Sequence, residues 1–308
     1  MKISEKIFFL IALGNSLGAW AQDSSHVLEL DAIQVKSSHL GSDYIGFDVH
    51  LNTDDLRNKD HQSLGALLNN ELGISSTAYG AGASRPVIRG LDGSRVQILE
   101  NGQSVSDVSN VSADHANANN LGQIQEVELL RGPAALAYSS GVSGGVINVI
   151  NNRIAKKQDD HFLGDVNLGY ETGNERKVAN VSLGASSNSI VWRLDANTDH
   201  AGNYKIPGFA ELNGPNASWA INIGNPQNVS YKKVLPFSYT RQDSLGLGVS
   251  YLAPNGYTGI SVDQIKHDYG VPTVEGSQLT QVQSRLNVEH LTQNPWNGIS
   301  AFRATFYA

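Results

Sequence analysis

The chain has 308 residues, with 22 lysines and arginines against 29 aspartates and glutamates, a formal charge of −7. That length permits two domains, and the acidity speaks against a nucleic-acid partner. Cysteine is absent, which excludes a disulfide scaffold, and Met1 is the one methionine, which leaves no soft sulfur ligand for Cu(I) in the rest of the chain.

In chain order, Lys2 and Lys6 flank the start of an apolar run over residues 7–13, and Ala19, Trp20 and Ala21 supply a small-x-small cleavage motif. Residues 1–21 therefore read as a secretory signal peptide. The apolar run is too short to cross a bilayer as a helix, and no later stretch is long enough either. Export, absence of cysteine and 31 glycines together suggest a periplasmic or outer-membrane protein. Residues 22–53 look polar and irregular, except for alternating runs at 28–35, "LELDAIQV", and at 44–51. A helix is predicted over 60–72, with Leu64, Leu67 and Leu68 on one face and Gly73 as its stop.

Residues 74–153 read as a compact α+β domain. Short strands are expected at 86–89 and 95–99. A turn at Asn101-Gly102 returns the chain through 103–105, since Asn-Gly between alternating runs is a strong hairpin signal. An open polar loop spans 106–122. A strand at 124–130 ends at Arg131, Gly132 and Pro133, a helical turn covers 134–138, and a strand follows at 146–151. The loop poses one question. Between Asp107 and Glu126 its only titratable side chains are Asp114 and His115, side by side. They read either as a turn aspartate beside a solvent-exposed histidine or as a metal-capturing pair.

From about residue 161 strict alternation sets in. Strands are predicted at 165–170, 179–185, 190–196, 243–252, 258–267, 281–291 and 299–308. In the third, Ile190, Trp192, Leu194 and Ala196 share one face while Arg193, Asp195 and Asn197 share the other, as a strand's alternating side chains require. Leu245, Leu247, Val249 and Tyr251 make a second apolar face. Such faces suit lipid outside and water or polar protein inside. The connections read as short near 186–189, 253–256 and 292–298, and longer near 171–177, 200–240 and 268–280, the loop asymmetry of outer-membrane barrels. Tyr170, Trp192, Tyr251 and Tyr257 near strand ends suit interfacial aromatic belts. A soluble sandwich or barrel alternates too; the leader and the loop lengths favour the membrane. About seven strands leave an open edge, which hydrocarbon does not tolerate. The expectation is therefore the N-terminal part of a longer barrel, whether a fragment or a truncated reading frame.

Two stretches, "PVIRGLDGSRVQILENG" and "IQEVELLRGPAALAYSSGVSGGVINVI", resemble the plug domain of TonB-dependent outer-membrane receptors, and "LELDAIQV" resembles that family's TonB box. The resemblance implies a mainly β protein: signal peptide 1–21, box (about 28–35) and linker within 22–53, an α+β plug at 54–153, and the N-terminal portion of an outer-membrane β-barrel at 154–308. Family barrels close with twenty-two strands, so most of the barrel would be missing. It implies that Asp31, Ala32, Ile33, Gln34 and Val35 form the box pulled by the inner-membrane transducer TonB with its motor proteins, by strand addition. It also implies that Arg89, Glu126, Glu128 and Arg131, charges on otherwise apolar strands, tie plug to barrel wall, because an enclosed charge needs a partner. Outer-membrane lipid and a metal ion or metal chelate are the other partners implied, in the outer membrane of a Gram-negative bacterium.

"SDVSNVSADHA" looks most like the zinc-uptake branch, whose apical plug loop contributes an adjacent Asp-His pair. Carried over, the pair is Asp114 and His115, apt donors for Zn(II), with Asp107, His267 and Asp268 as auxiliaries and further ligands beyond residue 308. Zn(II) would then be the transported ligand, with no catalytic cofactor. A siderophore, haem or other metal chelate is the alternative, and a non-transporting sensor or adhesin is a third. An enzyme is not expected: no Ser/His/Asp order and no HExxH helix appears.

Overall fold

The computed structural model describes residues 49–56, 59, 62–77, 79–105, 108–117, 119–138, 141–158, 162–210, 232–273 and 276–308. The signal peptide, the TonB-box segment and Asp107 lie outside them. All the described residues belong to one compact unit, Ser38–Ala308.

The N-terminal part is an α+β unit. Its strands are β1 (Val49–Leu51), β2 (Ile74–Ser76), β3 (Pro86–Ile88), β4 (Val96–Glu100), β5 (Gln103–Ser104), β6 (Glu126–Leu130) and β7 (Gly145–Ile150), with helices α1 (Thr53–Leu56) and α2 (Leu64–Leu68). Five of the strands form a sheet in the order β1-β6-β7-β4-β5, while β2 and β3 pair separately. The central strand β7, "GVINVI", is buried throughout, as a strand covered on both faces must be, and its apolar run reflects that. β4 and β7 run parallel and the other pairs antiparallel. The turn from β4 to β5 places Asn101 at φ 51° and Gly102 at φ 81°, the two left-handed positions that Asn-Gly favours.

The helix expected over 60–72 is shorter. Ser63 is extended (φ −151°) and its Oγ accepts from the Ala66 N–H at 3.1 Å, a cap that fixes the start at Leu64. Leu64, Leu67 and Leu68 face the sheet and join Ile88, Val127, Leu129 and Ile147 in the core. Of the run at 44–51, the described part is β1, and its partner is distant in sequence: Val49, His50 and Leu51 pair with Leu129, Glu128 and Val127.

The second part is a wall of seven antiparallel strands among the described residues: β8 (Phe162–Glu171), β9 (Arg176–Ser187), β10 (Ile190–Ala201), β13 (Thr240–Ala253), β14 (Gly256–Val271), β15 (Ser277–Trp296) and β16 (Ile299–Tyr307). A small hairpin of β11 (Lys205–Phe209) and β12 (Lys232–Val234) interrupts the run between β10 and β13. The seven strands fall where the alternation places them. Burial alternates residue by residue along β13, with Leu245, Leu247, Val249 and Tyr251 exposed on one side. The same side carries Trp192, Ile260, Val262, Phe302 and Phe306, all exposed. The opposite side is polar and buried, with Asn180, Asp195, Asn197, Gln242, Asp263, Arg285 and Asn287 against the α+β unit. This is the reverse of a soluble protein's pattern and fits a sheet wetted inside and greasy outside. No described helix is long and apolar enough to cross a membrane.

Three expectations change. The connection near 268–280 shrinks to a short link, because Val271 at the end of β14 pairs directly with Ser277 at the start of β15. The connection near 171–177 is a tight turn, closed by Glu175 at φ 55°, because Glu171 pairs directly with Arg176. Tyr257 belongs to the inner face, 7% exposed, its hydroxyl donating to Glu289 Oε2 at 2.9 Å; it cannot join an outer aromatic belt with Tyr170, Trp192 and Tyr251.

Leu129 is fully buried at the centre of the α+β core. Leu129→Ala is expected to cost about 2–5 kcal/mol, read as a lowered urea midpoint of the purified protein, whereas the outward Leu245→Ala shifts it far less.

Candidate functional site

The loop that carries Asp114 and His115 begins with a 3-10 turn at Val108–Asn110. Ser112 O then accepts from the His115 N–H at 3.3 Å, so the chain doubles back between the two residues. The Asp114 carboxylate takes two contacts on Oδ1, one from the Ser112 hydroxyl and one from His115 Nδ1 at 3.1 Å. The Ser112 hydroxyl, foremost, holds this carboxyl below its ordinary range; burial opposes it, and the Asp114 backbone N–H and His115 add to the lowering. An ionised carboxylate only accepts, so Nδ1 is the donor in this contact and, in the neutral ring, Nε2 is the nitrogen left with a lone pair. The two residues thus do not act as equal donors. Asp114 orients the ring and leaves Nε2 of His115 turned away from the contact, the arrangement that metal-binding histidines ordinarily show. Because the Asp114 value is depressed in the folded state, this orienting contact persists at neutral pH and is lost only as pH falls through that lowered value. Both side chains are partly exposed, 40% for Asp114 and 31% for His115.

The loop is held by the wall. The Tyr269 hydroxyl, from β14, accepts from the Ala116 N–H at 2.9 Å, and Gln242 Nε2, from β13, donates to Asn119 O at 3.1 Å. Ala83, Ala116, Tyr269 and Val271 close over these contacts as a small apolar cluster. From within the α+β unit, Arg85 donates to Ser109 O and to Asp92 Oδ2.

His267 and Asp268, expected to assist at the metal, are separated by the strand's own period. They sit on opposite faces of β14. His267 is 5% exposed; its Nε2 meets Thr240 Oγ1 at 2.7 Å, and its ring lies 4.7 Å from that of Tyr269. It lines the seat of the α+β unit. Asp268 faces outward, accepting from Thr280 Oγ1 at 2.6 Å and meeting Lys266 Nζ at 3.2 Å.

Of the four charges expected to tie the two parts together, three make contacts inside the α+β unit. Glu126 Oε2 meets His50 Nε2 at 3.3 Å, buried Glu128 accepts from Asn148 Nδ2 at 2.9 Å, and Arg131 donates to Leu72 O at 2.7 Å. Arg89 is exposed at φ 49°. Among the described residues, His50, Glu126 and Glu128 are the group of three whose ligand atoms all fall within 4.8 Å of one another.

A further set of charges bridges to the wall. Arg153, 3% exposed, donates from Nε to both Asp195 oxygens at 3.2 Å, and from Nη1 to Glu100 Oε1 at 3.2 Å and Asp263 Oδ1 at 3.0 Å. Arg285 Nη1 donates to Glu100 Oε2. Register aligns the wall members in one row, Asp195 opposite Gly246, Gly246 opposite Asp263, and Asp263 opposite Arg285. Glycine is needed in that row. A Cβ at Gly246 would lie 2.6 Å from Arg153 Nε, and one at Gly248 would lie 1.9 Å from Arg153 O. Burial pulls the Arg153 guanidinium down, but the three carboxylates outweigh it and the group is held firmly charged. Asp195, Asp263 and Arg285 were visible in the sequence as charges on the polar side of alternating strands; that Glu100 and Arg153 meet them was not.

Residues 48–146 match the family model described as TonB-dependent Receptor Plug Domain. The chain carries a plug domain. The plug packs against wall strands like those of solved TonB-dependent receptors. The chain aligns with the structure "Copper transporter OprC" at a TM-score of 0.61 and 15% identity, covering 84% of this chain and 36% of that one. It aligns with the FrpB iron transporter from Neisseria meningitidis at 0.63 and 12%, covering 83% and 39%. The ferric enterobactin receptor PfeA from Pseudomonas aeruginosa matches at 0.61 and 16%, covering 84% and 40%. Among curated proteins, "Heme/hemopexin utilization protein C" of Haemophilus influenzae (strain 86-028NP) is 25% identical over 219 residues, 67% of this chain and 30% of that protein. The chain thus spans about a third of the length of such relatives.

Three carboxylates and two guanidiniums share the plug–wall network. Arg153→Met strands the carboxylates with a single cation and is expected to cost about 3–5 kcal/mol, whereas Asp263→Asn, which removes the surplus negative charge, costs much less. Denaturation midpoints of the two variants check the contrast.

Proposed function

We propose that this chain forms the plug and first wall strands of an outer-membrane receptor that captures a metal centre at its outward plug loop and moves it inward, energised by TonB. The plug match and the polarity of the wall support the receptor reading, with the apolar face toward lipid. The cargo reading rests on one observation, the Asp114–His115 dyad that presents a single oriented imidazole nitrogen from a loop pinned to the wall.

One nitrogen suits a metal whose other positions are filled by an organic chelator, and an iron porphyrin is such a centre. The relatives named for haem and hemopexin utilisation favour this reading, and siderophore complexes belong to the same class. Zn(II) as a bare ion is the second reading, favoured by the carboxylate beside the imidazole; it requires about two further ligands to complete a tetrahedral shell.

His115→Ala is expected to abolish capture, and Asp114→Asn, which keeps shape but loses the orienting charge, to weaken it about 10–100-fold. Titrating the receptor with haemin, followed at the Soret band, and with Zn(II), followed by calorimetry, tells the two cargoes apart. Unchanged affinity for both in His115→Ala would refute the site.

Deleting Asp31, Ala32, Ile33, Gln34 and Val35 is expected to stop energised accumulation while leaving surface binding intact. Accumulation that continues in cells carrying the deletion would exclude TonB-driven transport through this segment.

A further inference from the structure

The edge strand β1 carries one titratable side chain, His50, between two apolar ones. Val49 and Leu51 pack into the plug core, so His50 lies on the opposite face of the sheet. Register sets it across from Glu128, and Glu128 across from Asn148, which makes one polar row over β1, β6 and β7. Glu126 stands two positions before Glu128 on the same strand, and hence on the same face. Opposed residues in such a pair bring their Cβ atoms within about 5 Å, and diagonal neighbours stay within reach of long side chains. The three side chains do converge. One ligand atom from each of His50, Glu126 and Glu128 lies within 4.8 Å of the other two. His50 Nε2 and Glu126 Oε2 are 3.3 Å apart.

The set has the other attributes of a coordination site. Its donors sit on paired strands, so backbone hydrogen bonds fix their spacing, which a loop would not do as well. The innermost donor is oriented from behind. Asn148, fully buried, accepts from the Gly102 N–H at 2.8 Å through Oδ1, and this turns its Nδ2 toward Glu128 Oε2 at 2.9 Å. Ligating carboxylates are ordinarily held by such outer hydrogen bonds. Access is graded from solvent inward: the His50 side chain is 34% exposed, that of Glu126 19%, and Glu128 1%. Two carboxylates drawn this close favour a cation shared between them.

We propose that His50, Glu126 and Glu128 bind a divalent transition-metal ion, with Zn(II) the best match, and that the ion staples β1 to β6. One imidazole nitrogen and two carboxylate oxygens make three protein ligands, and water completes a tetrahedral shell. The imidazole separates this set from the all-oxygen shells of Ca(II) and Mg(II). The site shares no residue with the Asp114–His115 loop and is independent of the cargo bound there. His50 belongs to β1 and both carboxylates to β6, so the full shell exists only while the two strands are paired. Binding therefore favours the paired state by mass action. At a free metal concentration a hundred times the dissociation constant, opening of β1 becomes about a hundredfold rarer.

The test uses the intact receptor in detergent, carrying His115→Ala so that the outward loop does not take up the probe. Hydrogen exchange of the paired amides of β1 reports its opening, and is followed with no metal, with Zn(II) and with Ca(II). His50→Gln and Glu126→Gln are added singly; both replace partly exposed side chains with ones of similar length, and exchange at Leu129 without metal checks that the plug core is kept. The expected result is that Zn(II) at a hundred times its dissociation constant slows β1 exchange about a hundredfold. In each variant the same zinc concentration slows it about tenfold or less, as a tenfold or greater loss of affinity requires. Absence of slowing without either substitution overturns the site, and so does undiminished slowing in His50→Gln or Glu126→Gln. Equal slowing by Ca(II) overturns the assignment to a transition metal.

Discussion

The fold depends on one guanidinium kept in the dry. Arg153 follows the last plug strand and sits at the wall, where burial would be prohibitive without counter-charges. Glu100 reaches it from the plug, Asp195 and Asp263 from two wall strands. Arg285 meets Glu100 from a third. Such a cluster is weak evidence of net stability, since desolvation offsets much of the attraction. Its value here is geometric. It brings its members together in one arrangement of plug and wall, and so fixes the register between the two parts.

The rest of the packing follows from that register. Gly246 and Gly248 must lack side chains for Arg153 and its backbone to lie against β13. With the row through Asp195, Gly246, Asp263 and Arg285 set, the rows beyond it are set too, and Gln242 and Tyr269 come to the height at which they hold the loop of Asp114 and His115. The imidazole of His115 therefore owes its position to contacts on the inner face of a sheet it does not belong to.

Much of this was legible in sequence, for definite reasons. The seven wall strands announce themselves because a sheet with lipid on one side and protein on the other needs strict alternation, and Ile190 to Asn197 or Leu245 to Tyr251 has no other regular reading. Asn101-Gly102 was legible because few residues tolerate two left-handed positions in a row. The helix length was misjudged because the leucine spacing says nothing about Ser63, whose cap sets the boundary. Tyr257 was placed outside by its position near a strand end, whereas the two-residue period puts it inside, and the same period sets His267 and Asp268 on opposite faces. The Arg153 network lay beyond the sequence for a deeper reason. Arg89, Glu126, Glu128 and Arg131 look exceptional locally, but pairing across 42 or 110 positions, as Arg153 makes with Asp195 and Asp263, leaves no local trace. The roles within the Asp114–His115 pair were likewise beyond sequence, because adjacency does not say which residue orients and which ligates.

β1 has a mechanical meaning. It is three residues long, lies at the edge of the plug sheet, and pairs with β6 alone. At the other end of the plug, Arg153 is pinned by charges from both sides. Tension applied at Val49 would meet three residue pairs first and the ionic anchor last. The plug is thus an anisotropic solid, compliant where the chain enters and stiff where it leaves, and it would yield by unravelling from its N-terminal edge while its connection to the wall holds.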